Sequence, residues 1–61
     1  MADFQIYTDS SGEYRWFLRA DNHDIIADSS KGYVKKSDCE RGIELVKRDA
    51  ADAPVEEVRL V

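Results

Sequence analysis

From Phe4 to Thr8 apolar and polar side chains alternate, Phe4-Gln5-Ile6-Tyr7, the period of two that marks a short strand with one buried face. The next apolar block, Gly12 to Ala27, holds the only Trp and reads as two strands joined at Asp21-Asn22-His23. Asp9-Ser10-Ser11-Gly12 is dense in turn formers, and a three-residue loop with Gly12 left-handed at its end closes the first hairpin with a bulge. That register pairs Asp9 with Glu13, Ile6 with Trp16 and Phe4 with Leu18, so four apolar side chains share a face. A slip of one residue scatters them over both faces. The second turn has either Asp21-Asn22 or Asn22-His23 at its centre. Both readings place Ile25 and Ala27 with Tyr14, Trp16, Leu18 and Ala20, and leave Phe17 and Ile26 on the opposite face with Arg15, Arg19 and Asp24. One face is apolar and the other mixed.

After Ala27 the period changes. Asp28 to Lys36 is a polar connection with Gly32 as its bend. Ser37-Asp38-Cys39-Glu40 has the form of a capping box, which predicts a helix beginning at Ser37. Cys39, Ile43, Val46 and Ala50 then recur at helical spacing as one apolar stripe, with Gly42 beside it for close approach to the sheet and Leu45 off it. The pattern weakens over Ala51-Asp52-Ala53, and Pro54 stops it. Val55 to Val61 reads as a last strand, Val58 and Leu60 on one face, Val55 and Val61 on the other. The expected fold is α+β: one domain over residues 1–61, a small antiparallel sheet of three to four strands in the order β-β-β-α-β, with one helix on one face.

Length adds a constraint that the pattern alone does not. A 61-residue chain hides only about 60% of the surface its unfolded form exposes, and small domains compensate with disulfides, a metal or a partner subunit. Cys39 is the only cysteine and His23 the only histidine, which excludes an internal disulfide and a structural zinc site of nitrogen and sulfur ligands. No cofactor is called for. Self-association is the remedy left.

The formal charge of −4 and pI near 4.7 argue against a polyanionic partner, which needs a basic surface. The acidic surface also suits a cytosol of high salt. No run is long and apolar enough to span a membrane, and Met1-Ala2-Asp3 lacks a basic leader pattern. A cytoplasmic protein is the expectation.

Laid out in this order, the residues resemble a known family, the YegP-like small domains of unknown function of bacteria and archaea. The resemblance rests on Phe4-x-Ile6 and on Gly12-x-Tyr14-Arg15-Trp16-x-Leu18-x-Ala20-x-Asn22-x-x-Ile25-Ile26-Ala27-x-Ser29. Further on it rests on Tyr33, Lys36-Ser37 and Gly42-Ile43-x-x-Val46-Lys47. The chain departs from the family at His23, where Gly is common after Asn22, and at Phe17, where a basic or polar residue is commoner. The resemblance implies a three- or four-stranded sheet backed by a helix. Some members carry two copies in tandem about a pseudo-twofold axis, so a one-copy member is expected to form a homodimer. It implies no activity and no catalytic residues.

The residues point to a dimer independently. One helix covers one face of the sheet, which leaves Tyr7, Phe17, Ile26, Val55 and Val61 as the candidate dimer or partner surface, with Arg15 and Arg19 beside Phe17. Each large apolar side chain withdrawn from water contributes about 1.5–3 kcal/mol, against a total stability of only ~5 kcal/mol for such a domain. Pairing the last strand with another chain would also protect an exposed edge.

No motif identifies a chemistry. His23 is a turn residue with no nucleophile near it in sequence. Cys39 falls both in the first helical turn and on the apolar stripe, and the second placement reads as a buried thiol. Arg15, Phe17 and Arg19, near Tyr7, form a strand face of the kind that stacks bases between basic residues, opposed by the net charge and by Asp24 beside Arg19. Lys31, Lys35 and Lys36 form a second basic cluster around Tyr33. Asp9-Ser10-Ser11-Gly12 and Asp28-Ser29-Ser30 lack the ligand count of a cation or phosphate loop. The sequence therefore reads as a non-enzymatic intracellular homodimeric module with an interaction or stress-related role. The alternative is a weak single-stranded nucleic-acid binder using the Arg15/Phe17/Arg19 face.

Overall fold

A computed structural model describes residues 1–60. Three strands, β1 (Asp3–Thr8), β2 (Tyr14–Arg19) and β3 (Ile25–Asp28), form an antiparallel meander in sheet order β1-β2-β3, followed by one helix, α1 (Lys36–Asp49).

The first hairpin has the register that apolar pairing dictates: Phe4 faces Leu18 and Ile6 faces Trp16. Gly12 is left-handed (φ 83°), and the Gly12 and Asp9 amides donate to the Asp9 and Glu13 carbonyls. The second turn repeats this architecture. The His23 amide donates to the Ala20 carbonyl, the Ala20 amide donates to the Asp24 carbonyl, and His23 takes the left-handed position (φ 71°) that Gly12 takes in the first. The central pair is thus Asp21-Asn22.

β3 departs from the expected facing. Leu18 pairs with Ala27, but Arg19 pairs with Ile25, so Ile26 is the extra residue of a bulge. The bulge carries Ile25 off the helix-covered face and puts it across from Arg19. The bulge lies inside the ladder and is separate from the turn, since the first hairpin has the same left-handed turn residue and keeps a regular register beyond it.

The polar connection also continues the sheet. Ser29 donates its amide to the Trp16 carbonyl, while its hydroxyl accepts the Trp16 amide at 3.3 Å. Tyr33 then exchanges both backbone hydrogen bonds with Tyr14, at 2.8 Å each. One side of β2 is therefore paired beyond β3 itself, and the Tyr33 ring is delivered under α1. Gly32 lies so close to the Glu13 side chain that a Cβ there would collide with it.

The helix begins at Lys36, one residue before the predicted cap. Ser37 lies inside the first turn, and the extended N-cap residue, Lys35, makes no side-chain cap bond. The capping box does not form because the chain leaves Tyr33 extended, and the Lys35 carbonyl accepts the Asp38 and Cys39 amides. The predicted stripe faces the sheet as far as Val46: Cys39 and Ile43 are buried with Trp16, and Phe4, Ile6, Tyr14, Leu18, Tyr33 and Val46 pack around them, whereas Ala50 is the exposed C-cap. Gly42 is the point of closest approach, where a Cβ would stand 2.8 Å from the Tyr33 hydroxyl and 3.6 Å from Trp16 Nε1.

The expected last strand is the main correction. Residues 55–60 carry no secondary structure and are exposed, with Val55, Val58 and Leu60 at 102%, 70% and 91% exposure. Val61 lies outside the described residues. Among the described residues this segment pairs with nothing, although the outer edge of β1 is open. The accessible surface of 5204 Å² exceeds the roughly 4,000 Å² typical of a folded chain of this mass. The radius of gyration, 13.3 Å, likewise exceeds the ~10.5 Å expected for this length. The fold is α+β, with surface still to bury.

Candidate functional site

The face of the sheet away from α1 carries the aromatic and basic residues singled out in the sequence. Tyr7 and Phe17 lie diagonally across β1 and β2, ring centroids 5.6 Å apart and planes tilted by 42°. The flanking arginines are not available as open cations. Arg15 Nε donates to Asp9 at 2.7 Å, and Arg19 donates through Nε and Nη2 to the two Asp3 oxygens, each at 3.1 Å. Asp3, not Asp24, neutralises Arg19; Asp24 instead accepts from the Asn22 side chain.

The same hydrogen bonds hold both aspartates in the ionised form. The Arg15 guanidinium, with further donors from Ser11 and the Glu13 amide, keeps the Asp9 carboxyl well below the usual range. Arg19, aided by the Gln5 amide group, lowers that of Asp3. Phe17 is half-buried although no helix covers it, with the Tyr7 ring beside it. Tyr7, on the same face, remains 42% exposed.

Further apolar surface is exposed along the sheet edges and the tail. Ile25 and Ile26 are 60% and 61% exposed on β3, a four-residue edge broken by its bulge. The β1 edge is its opposite in character, six residues in regular register with only β2 as a partner. Against its helix side opens a pocket of about 490 Å³ lined by Ile6, Tyr7, Thr8, Tyr14 and Lys36. Lys36 makes no ion pair among the described residues. Val34 is exposed in the connection before α1, and the tail exposes Val55, Val58 and Leu60.

The other sequence candidates resolve simply. Cys39 is fully buried, and burial, with the Glu40 charge, raises its thiol pKa. His23 is exposed in its turn. Lys31 lies over the Tyr33 ring at 4.8 Å, which ties one member of the basic cluster to the loop. Asp9 and Asp28 cap their own turns by accepting the Ser11 and Ser30 amides. Among the described residues no group of three or more His, Cys, Asp or Glu is placed to hold a metal, and no helix is long and apolar enough to cross a membrane. Sequence reasoning missed the β1 pocket and the Asp3–Arg19 pair. Both depend on elements distant in sequence, although the register already set Asp3 across from Arg19.

The class that the fold defines is a three-stranded antiparallel meander backed by one helix, with a regular β edge and a C-terminal segment both lacking partners. The chain belongs to the family described as Domain of unknown function (DUF1508), which matches residues 9–57, as the YegP-like resemblance implied. It is 49% identical over 55 residues to a UPF0339 protein of Neisseria meningitidis, covering 90% of this chain and 96% of that one. A UPF0339 protein of Stutzerimonas stutzeri, encoded in the 5′ region of the ptx operon, is 47% identical over 49 residues, which are 80% of this chain and 43% of that protein. The NMR solution structure of a protein from Haloferax volcanii superposes with a TM-score of 0.86 at 47% identity, over 93% of this chain and 95% of that one.

Proposed function

We propose that this protein is a non-enzymatic, intracellular module that works as a homodimer, in which the tail of each copy adds as a strand to the β1 edge of the other. The observation that carries this reading is the coexistence of an unpaired six-residue edge and an unpaired six-residue tail, residues 55–60, whose Val55, Val58 and Leu60 are exposed, in one small chain. Six extended residues span about 20 Å, so edge and tail match in length. β3 is the poorer edge, because a bulge blunts strand addition. Strand exchange between identical chains is a low-cost route to a dimer. It would bury Val58 and Leu60 and the backbone groups of β1 together.

Two further observations support it. The surface in excess of a compact chain of this mass is what an exchanged segment leaves behind when a chain is described alone. The Stutzerimonas stutzeri relative has room in its length for a second unit of this size, the covalent equivalent of two copies. The Tyr7/Phe17 face is left open in this dimer, and its tethered arginines make it a poor nucleic-acid platform.

Truncation tests the reading. A chain ending at Pro54 is expected to sediment as a monomer with an intact three-stranded fold, whereas the full chain sediments as a dimer. A full chain that stays monomeric across the micromolar range, or a truncated chain that remains dimeric, overturns it.

A further inference from the structure

We infer that the pocket beside β1 is the receptor for the partner copy's tail, and that Lys36 recognises the carboxylate of Glu56 there. This inference rests on the homodimer proposed above and assigns its specificity contact. In an added strand, alternate residues face the same side. Val58 and Leu60 are the apolar pair of the tail, and the apolar side of the sheet is the one under α1, so they turn toward the helix side. Glu56 has the same parity and so turns to that side too, two residues before Val58.

The pocket offers matching chemistry. Ile6 and Tyr14 supply apolar wall, and Lys36, the first residue of α1, supplies a cation with no ion pair among the described residues. Its volume of about 490 Å³ accommodates a branched side chain together with a carboxylate head. Glu57 and Arg59 fall on the other side of the added strand, over the open face. The pocket is thus complete only when a second copy occupies it. The charge pairing distinguishes a cognate tail from any extended apolar segment.

The symmetry of the dimer supplies a direct test. K36E alone or E56K alone places like charges at both contacts of a homodimer. Mixing the two variants gives a heterodimer in which one contact is the wild-type pair and the other its reversal, so both are complementary. A carboxylate at position 36 suits the helix start, so K36E is expected to fold, which circular dichroism checks. Native mass spectrometry and sedimentation of each variant and of the equimolar mixture read the outcome. The expected result is association of each homodimer weakened by about tenfold, for two exposed pairs per dimer, with the heterodimer predominating in the mixture. Statistical mixing, with both homodimers as tight as wild type, overturns the Lys36–Glu56 assignment while leaving the dimer standing. A monomeric wild-type protein in the same experiment overturns the dimer itself.

Discussion

Replacing Ile43 with Ala tests the core most sharply, because Ile43 is one of three buried apolar residues, at 8% exposure, and packs with Trp16 and Cys39 beneath α1. Large-to-small replacement at a site enclosed this way removes both transfer energy and contacts around the cavity, about 3 kcal/mol. A chain of this length has a total stability of roughly 3–9 kcal/mol, so the change removes a third of it or more. With an unfolding entropy of about 2.1 cal/mol/K per residue, each kcal/mol is worth ~8 °C, and the melting temperature should fall by about 20–25 °C. Thermal unfolding followed by circular dichroism and by Trp16 emission, at matched protomer concentration, measures it. Leu45→Ala on the outer side of the same helix, where Leu45 is 37% exposed, is the control and should change stability by ~0.5 kcal/mol at most. A loss below ~1 kcal/mol for Ile43→Ala, or an equal loss for Leu45→Ala, would refute this account of the core.

Other outcomes follow from the same contacts. His23→Gly should raise the melting temperature by about 4–8 °C, since the left-handed backbone at His23 costs a side chain ~1 kcal/mol that glycine avoids; an unchanged or lower value contradicts the turn geometry. Asp3 and Asp9 have folded pKa values depressed first by Arg19 and Arg15. The stability they contribute is therefore fully present above the unfolded carboxylate value near ~4 and lost as pH falls below it. Asp9→Asn should flatten the acid limb of the stability curve, and an unaltered slope counts against the pair. Cys39 should react with a thiol reagent at least ~100-fold more slowly in the folded protein than in urea, whereas immediate reaction would show an exposed thiol. Phe17→Arg should leave the dimer dissociation constant unchanged, and a weaker dimer would return the interface to the Tyr7/Phe17 face.

Much of this architecture was legible because apolar side chains at period two leave one register that gathers Phe4, Ile6, Trp16 and Leu18, and Gly12 permits the turn that register needs. The helix stripe was legible for the same reason at period 3.6. Three features were not. Ile25 changes face because the ladder bulges at Ile26, an extra residue that alternation cannot foresee. The capping box at Ser37 was locally correct but yielded to the tertiary pairing of Tyr33 with Tyr14, which delivers the chain to Lys36 already extended. The strand expected after Pro54 has strand composition, but residues 55–60 join no ladder among the described residues, and a strand exists only by pairing. The candidate site was half visible. Val55 was marked as unpartnered surface from the sequence, whereas the pocket that could receive the tail is assembled from β1, β2 and the start of α1.

The most direct measurement is an isotope-filtered NOE experiment on an equimolar mixture of labelled and unlabelled protein. Exchange of tails predicts contacts between the methyl groups of Val58 or Leu60 in one copy and Ile6 or Tyr14 in the other. Tail methyls that give no cross-copy signal and keep the shifts of an unstructured chain would contradict the account.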